Sequence, residues 1–147
     1  MTMSSLPDSA ADGGRTVHLR IPAKPEYITL CRLALTGIAQ VRSIGDDVMA
    51  ELKLALTEAV SNSVRHAYGP DGGGHVDVVY ELRPDAIRIE VVDDGAGFDP
   101  DEAPSFEGEE LSEGGLGIAI IRSIADEFEL RSSPGERGST LRFAKKL

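Results

Sequence analysis

The chain has 147 residues, with 27% charged and 41% hydrophobic residues and a formal net charge of −10. That is the length of one domain and enough apolar content for one core of Leu, Ile, Val and Ala, which excludes wholesale disorder. The acidity excludes the basic footprint of a nucleic-acid binder and a polybasic attachment to anionic membrane; it suits a basic protein partner or a metal–nucleotide.

One cysteine, Cys31, is present. It has no partner for an internal disulfide, and no Cys/His cluster has zinc spacing, so a reducing cytoplasm is the expected compartment. No apolar run approaches the roughly 20 residues of a membrane span. Residues 1–14 are rich in Ser, Asp and Gly and are expected to be a disordered tail without a signal peptide; residues 15–147 are expected to form one domain.

Along that domain, Val17, Leu19 and Ile21 alternate with His18 and Arg20, which predicts a half-buried strand over 16–21. Pro25-Glu26 makes a good first helical turn, and Ile28, Cys31, Leu35, Ile38 and Val41 continue at helical spacing to about Arg42. Gly45 is expected to stop that helix and Asp46 to cap the next. The second helix runs to about Tyr68, with Met49, Leu52, Leu56, Ala59 and Val60 on its apolar side. After a glycine-rich loop over 69–74, two alternating strands follow, Val76 to Leu82 and Ile87 to Val91, joined by Arg83-Pro84-Asp85 as a hairpin. Residues 94–115 show no period, and aperiodic stretches of that length inside a compact domain are usually functional lids or disordered. A third helix from about Gly115 to Ala125 and two strands, 127–131 and 139–145, close the chain. Alternating strands and amphipathic helices in this order predict an α+β, two-layer sandwich: a mixed, mostly antiparallel sheet with helices on one face.

Three stretches carry candidate chemistry. In the second helix, Glu58, Asn62 and His66 recur every four residues and share a face, neighbours lying roughly 6 Å apart, with Arg65 beside them. A carboxylate and an amide one turn apart can accept a proton and offer an oxygen to Mg²⁺; equally, the row can be the solvated face of an amphipathic helix. At the end of the third strand, Asp93-Asp94-Gly95-Ala96-Gly97 places an acceptor for a purine amino group beside backbone that a ligand can approach closely, or else forms an ordinary Asp/Gly turn. Pro100 breaks the spacing of a dinucleotide fingerprint, and the glycines and proline break an EF-hand register. Then Gly114-Gly115-Leu116-Gly117 opens the third helix, where free N–H groups favour phosphate; the alternative is a flexible hinge. No Walker lysine is present, so a phosphate here must rest on backbone N–H groups, Mg²⁺ and an arginine. Gly138-Ser139-Thr140 opens the last strand and can offer a hydroxyl to the same ligand.

In this order the segments resemble the GHKL superfamily of ATP-binding domains, which includes gyrase, Hsp90, histidine kinases and MutL. The second helix matches its E-x-x-x-N-x-x-x-H-A box, Asp93 to Gly97 its D-x-G-x-G box, and Gly114 to Gly117 its second glycine box; Gly138 to Thr140 fits the closing element less specifically. The resemblance extends from about Arg15 to Leu147. Size, "EAVSNSVRHAY" and "EGGLGIAIIRSIAD" are most similar to the small RsbW/SpoIIAB group of anti-sigma factor serine kinases.

The resemblance implies a Bergerat ATP-binding fold using ATP and Mg²⁺. It implies Asn62 on Mg²⁺, Asp93 on the adenine amino group, and Gly95 and Gly97 shaping the adenine pocket. Gly115 and Gly117 would approach the phosphates, with Gly114, Leu116, Arg65 and His66 in the same nucleotide site and Thr140 near the adenine or phosphates. Glu58 would be the general base for a serine of a STAS-domain anti-anti-sigma protein, and the kinase would hold a sigma factor once that antagonist is phosphorylated. A homodimer through the first strand and helix is also implied. Two other readings stay open: a nucleotide-regulated binding module without phosphotransfer, and the ATPase domain of a longer signalling histidine kinase, against which the start methionine and full set of elements are expected to count.

The charge is not evenly spread. Asp93 to Glu113 holds nine acids and no Lys or Arg, leaving 16 acids against 15 bases elsewhere. A block of like charge resists compaction, and the acidic lid is expected to be mobile without nucleotide.

Overall fold

The computed structural model describes residues 15–67, 74–93, 113–132 and 138–147; the side chains of 66, 67, 113–115 and 132 fall outside that description. The expected tail and most of the expected lid therefore lie outside the described residues. Strand β1 (Arg15–Pro22) leads through a 3-10 turn (Pro25–Tyr27) into helix α1 (Ile28–Ala39), and helix α2 (Asp46–Ala67) follows. Strands β2 (His75–Arg83) and β3 (Ala86–Asp93), helix α3 (Glu113–Ile124), and strands β4 (Glu127–Ser132) and β5 (Ser139–Lys146) complete the order.

The ends of the helices depart from expectation for local reasons. Beyond Ala39 the chain tightens, with the N–H groups of Gln40, Val41 and Arg42 bonding three residues back, so α1 gives out before Gly45 is reached. Gly45 is instead the N-cap of α2: its carbonyl accepts from Met49 at 2.9 Å, and Asp46 and Asp47 occupy the first turn, where negative charge suits the helix dipole. Helix α3 begins at Glu113, which puts Gly114 and Gly115 inside its first turn. Glycine weakens a helix without forbidding it, and burial of Ile118 and Ile121 further along outweighs the penalty.

The five strands form one sheet in the order β1-β2-β3-β5-β4, and every pairing is antiparallel. Alternation puts Val76, Val78, Tyr80, Leu82, Ile87, Ile89, Val91, Leu141 and Phe143 on one buried face. Against it lie Cys31 and Leu35 of α1 and the stripe Leu52, Ala55, Leu56, Ala59 and Val60 of α2. Each large side chain so buried contributes roughly 1.5–3 kcal/mol. Tyr80 keeps its hydroxyl satisfied in this interior by donating to the carbonyl oxygen of Cys31 at 2.7 Å, which ties α1 to the sheet. Burial pushes the Cys31 thiol up to about 11. Arg42, just past α1, ties that end to the hairpin, its guanidinium donating to the carbonyls of Arg83 at the end of β2 and Pro84 in the turn.

The opposite sheet face is charged, and among the described residues no helix packs on it. Arg142 reaches Glu90 at 2.7 Å and Glu129 at 3.2 Å, Arg88 reaches Glu81 at 2.7 Å, and Arg20 reaches Asp77 at 2.9 Å. Much of the balanced charge outside the acidic segment is interleaved here across neighbouring strands. Among the described residues no helix is long and apolar enough to cross a membrane.

Candidate active site

Helix α2 turns two kinds of residue toward the interior. Its apolar stripe fills the core, and one turn from its C-terminal end Asn62 and Ser63 are buried too, each 5% exposed. At the end of β3, Asp93 is 3% exposed. These three are the buried polar or charged residues among those described, and two of them were singled out by motif. A solvated helix face does not bury Asn62, and an ordinary surface turn does not bury Asp93. Polar side chains are kept out of water where partners or a ligand satisfy them.

Asp93 receives a hydrogen bond from the Ser139 hydroxyl, Oγ to Oδ2 at 2.8 Å. The register explains the choice of residue. Ser139 pairs with Asp93 across β3 and β5 and shares the inward side of β5 with Leu141 and Phe143. Thr140 pairs with Val92 and Arg131 and takes the outward side with Arg142, away from Asp93. Within the Gly138-Ser139-Thr140 element it is therefore Ser139 that meets Asp93. Its inward side follows from the two-residue period it shares with Leu141 and Phe143, whereas its partner depends on the pairing of β3 with β5. Gly138, just before it, has φ 93°, a left-handed conformation that strains residues bearing a Cβ, so the turn into β5 depends on glycine.

Glu58 is half-buried on α2. Its carboxylate lies directly against α3: a Cβ placed on Gly117 would come within 2.6 Å of Glu58 Oε1. The candidate base and the glycine-rich helix start are thereby in contact, and close approach of two helices at a glycine is the means. Arg65 is exposed and takes part in an interaction of its own. Leu116 is 46% exposed at the start of α3. Gly114 and Gly115 lie in the first turn of that helix. Gly95, Gly97 and the side chain of His66 lie outside the described residues. A groove of about 250 Å³ on the outer sheet face, lined by Arg88, Glu129 and Arg142 among others, holds none of the motif residues, and these three side chains are engaged in ion pairs.

Among the described residues no group of three His, Cys, Asp or Glu is placed to hold a metal. That donor set still fits Mg²⁺ brought in with a nucleotide. Mg²⁺ keeps several waters and takes phosphate oxygens, so one protein oxygen such as the Asn62 amide suffices.

An antiparallel sheet covered on one face by helices, with Asn62 and Asp93 buried and a glycine-opened helix packed against Glu58, has the makings of a nucleotide-binding α+β domain. The family model described as the histidine kinase-like ATPase domain matches residues 21–145, and the chain belongs to that family. The serine-protein kinase RsbW of Bacillus velezensis is 35% identical over 127 residues, covering 81% of this chain and 79% of that one. Within the family, therefore, this chain is of the protein serine kinase class. Two solved structures share the fold. One, the RsbU and RsbW domains of a Mycobacterium tuberculosis protein, has a TM-score of 0.67 at 20% identity, covering 90% of this chain and 32% of that one. The other, the SiaB–SiaC complex of Pseudomonas aeruginosa, has a TM-score of 0.67 at 15% identity and 98% coverage of both chains.

Proposed function

We propose that the chain transfers the γ-phosphoryl group of ATP to a serine of a STAS-domain anti-anti-sigma protein, and that it holds a sigma factor when that antagonist is phosphorylated. The observation that carries this reading is the burial of Asn62 and Asp93, the two side chains assigned to Mg²⁺ and adenine. The serine-protein kinase name of the relatives supports it. Asn62 would hold Mg²⁺ through its amide oxygen, and the ion would neutralise charge on the phosphates when bound. Asp93 would accept from the adenine amino group, and Gly95 and Gly97 would shape the adenine pocket. The backbone at Gly115 approaches the phosphates. As the serine oxygen bonds to the γ-phosphorus, the bond from that phosphorus to the bridging oxygen breaks, ADP leaves, and Glu58 takes the hydroxyl proton. Positioning and electrostatics carry most of the rate in such a transfer, and a general base adds about 10²–10⁴-fold. The reading also implies a homodimer through β1 and α1 and a cytoplasmic setting.

The test is ATP-dependent labelling of a panel of purified STAS proteins, with a pull-down of sigma factors alongside. Transfer to a serine of one STAS protein, and release of a bound sigma factor by the unphosphorylated form of that protein, are expected. Glu58→Gln should keep Mg·ATP binding and lose roughly 10²-fold or more in transfer, whereas Asn62→Ala should weaken Mg·ATP binding itself. ATP binding with no STAS protein labelled would overturn the kinase assignment; undiminished transfer by Glu58→Gln would remove the base.

A further inference from the structure

A glycine marks where something must come close, and the direction in which its Cβ would point identifies what. At Gly117 that direction is occupied by Glu58: Oε1 is 2.6 Å from the position a Cβ would take, and the Cβ and Cδ of Glu58 are each 3.5 Å away. Gly117 is itself buried in α3. The space its missing side chain leaves therefore belongs to the carboxylate of α2 rather than to a phosphate.

We propose that Gly117 is a positioning residue for Glu58, holding open the notch in α3 in which the carboxylate of the general base is seated. This rests on the phosphotransfer reading given above and assigns that glycine a task separate from cradling phosphate. Two contacts at 3.5 Å are ordinary van der Waals separations, so the stem of Glu58 tolerates a methyl group there. Only the carboxylate end, which is flexible, must move, by roughly 1 Å to reach normal contact. An alanine in the body of a helix is otherwise preferred to glycine. Gly117→Ala should consequently leave the fold intact and displace the base, and a displacement of that size can cost about 10²-fold in rate.

The experiment compares wild type, Gly117→Ala, Glu58→Asp and the double variant as full chains, using a STAS protein that the wild type phosphorylates. Gly117→Ala is expected to lower kcat roughly tenfold or more, with the KM for ATP within about twofold and thermal stability not reduced. In the Glu58→Asp background, whose shortened side chain withdraws from the notch, the same change should cost less than about threefold, a departure from additivity that signals direct contact. The ¹³Cδ resonance of Glu58, assigned by its disappearance in Glu58→Gln, should shift in Gly117→Ala. Loss appearing in ATP affinity with kcat unchanged, or an additive double variant, would overturn the proposal and return Gly117 to the phosphates. If the wild type labels no STAS protein, the kinase reading fails by itself, and the ¹³Cδ resonance decides the seating: an unmoved resonance overturns it.

Discussion

Ser139 and Thr140 are neighbours in sequence, yet they face opposite sides of β5, and the Ser139 hydroxyl bonds Asp93. By donating to Oδ2, it holds in place the carboxylate proposed to meet adenine. A hydrogen bond to a charged acceptor is worth roughly 1.5–3 kcal/mol. Ser139→Ala should therefore weaken ADP binding by about tenfold or more by calorimetry, while Thr140→Ala should bind as wild type. Equal affinities for Ser139→Ala and wild type would separate Ser139 from nucleotide recognition. The spacing of Glu58, Asn62 and Asp93 was readable from sequence, because a four-residue period and an acid ahead of two glycines are local patterns. That Asn62 and Asp93 are buried while Leu116 is half open was not, because burial depends on what the rest of the chain brings to each site.

At the scale of elements, the strands and helices all appear where period two and period 3.6 predict them, with ends shifted by a few residues. The largest shift is at α1, whose pattern continues to Arg42 although regular helix stops at Ala39; Val41, 63% exposed, keeps the spacing without the burial. Strand β1 is one edge of the sheet and shows how such an element is fastened. Only Ile21 of its inward residues is fully buried, and polar contacts assist: Arg20 donates to Asp77 Oδ1 and Oδ2 at 2.9 and 3.3 Å, and His18 lies 2.9 Å from Oδ1. The Arg20 hydrogen bond, with His18 assisting against partial desolvation, holds the Asp77 carboxyl below its ordinary value. A depressed folded value means stability that is fully present above the unfolded carboxyl pKa of about 3.9 and lost as pH falls through the lower folded one. Urea unfolding of wild type and Asp77→Asn should thus differ near neutral pH and converge toward about pH 2. Because Arg20 is largely exposed, the gap should stay under about 1 kcal/mol. A gap independent of pH would show that Asp77 acts by packing alone.

For the whole molecule, the proposed homodimer makes a demand that composition does not reveal. Val17 on β1 and Leu30 and Leu33 on α1 are 41%, 45% and 60% exposed, apolar surface on the two elements that the resemblance assigns to dimerisation. Sedimentation equilibrium should find a dimer in the wild type, and Leu30→Asp combined with Leu33→Asp should give a monomer that still binds Mg·ATP. A monomeric wild type at tens of micromolar would overturn the pairing. The net charge of −10 likewise resolves by region. The acidic stretch from Asp93 to Glu113 carries most of it, and the outer sheet face pairs arginines with acids at 2.7–3.3 Å. By itself the sequence determined the α+β class, the order of elements and the motif residues, since hydrophobic period, glycine placement and four-residue spacing act over a few neighbouring positions. Only the tertiary structure decided the strand order, the bond of Ser139 to Asp93, the burial of Asn62 and Asp93, and the meeting of Glu58 with Gly117. Those depend on which distant segments are packed together, and no local pattern encodes that.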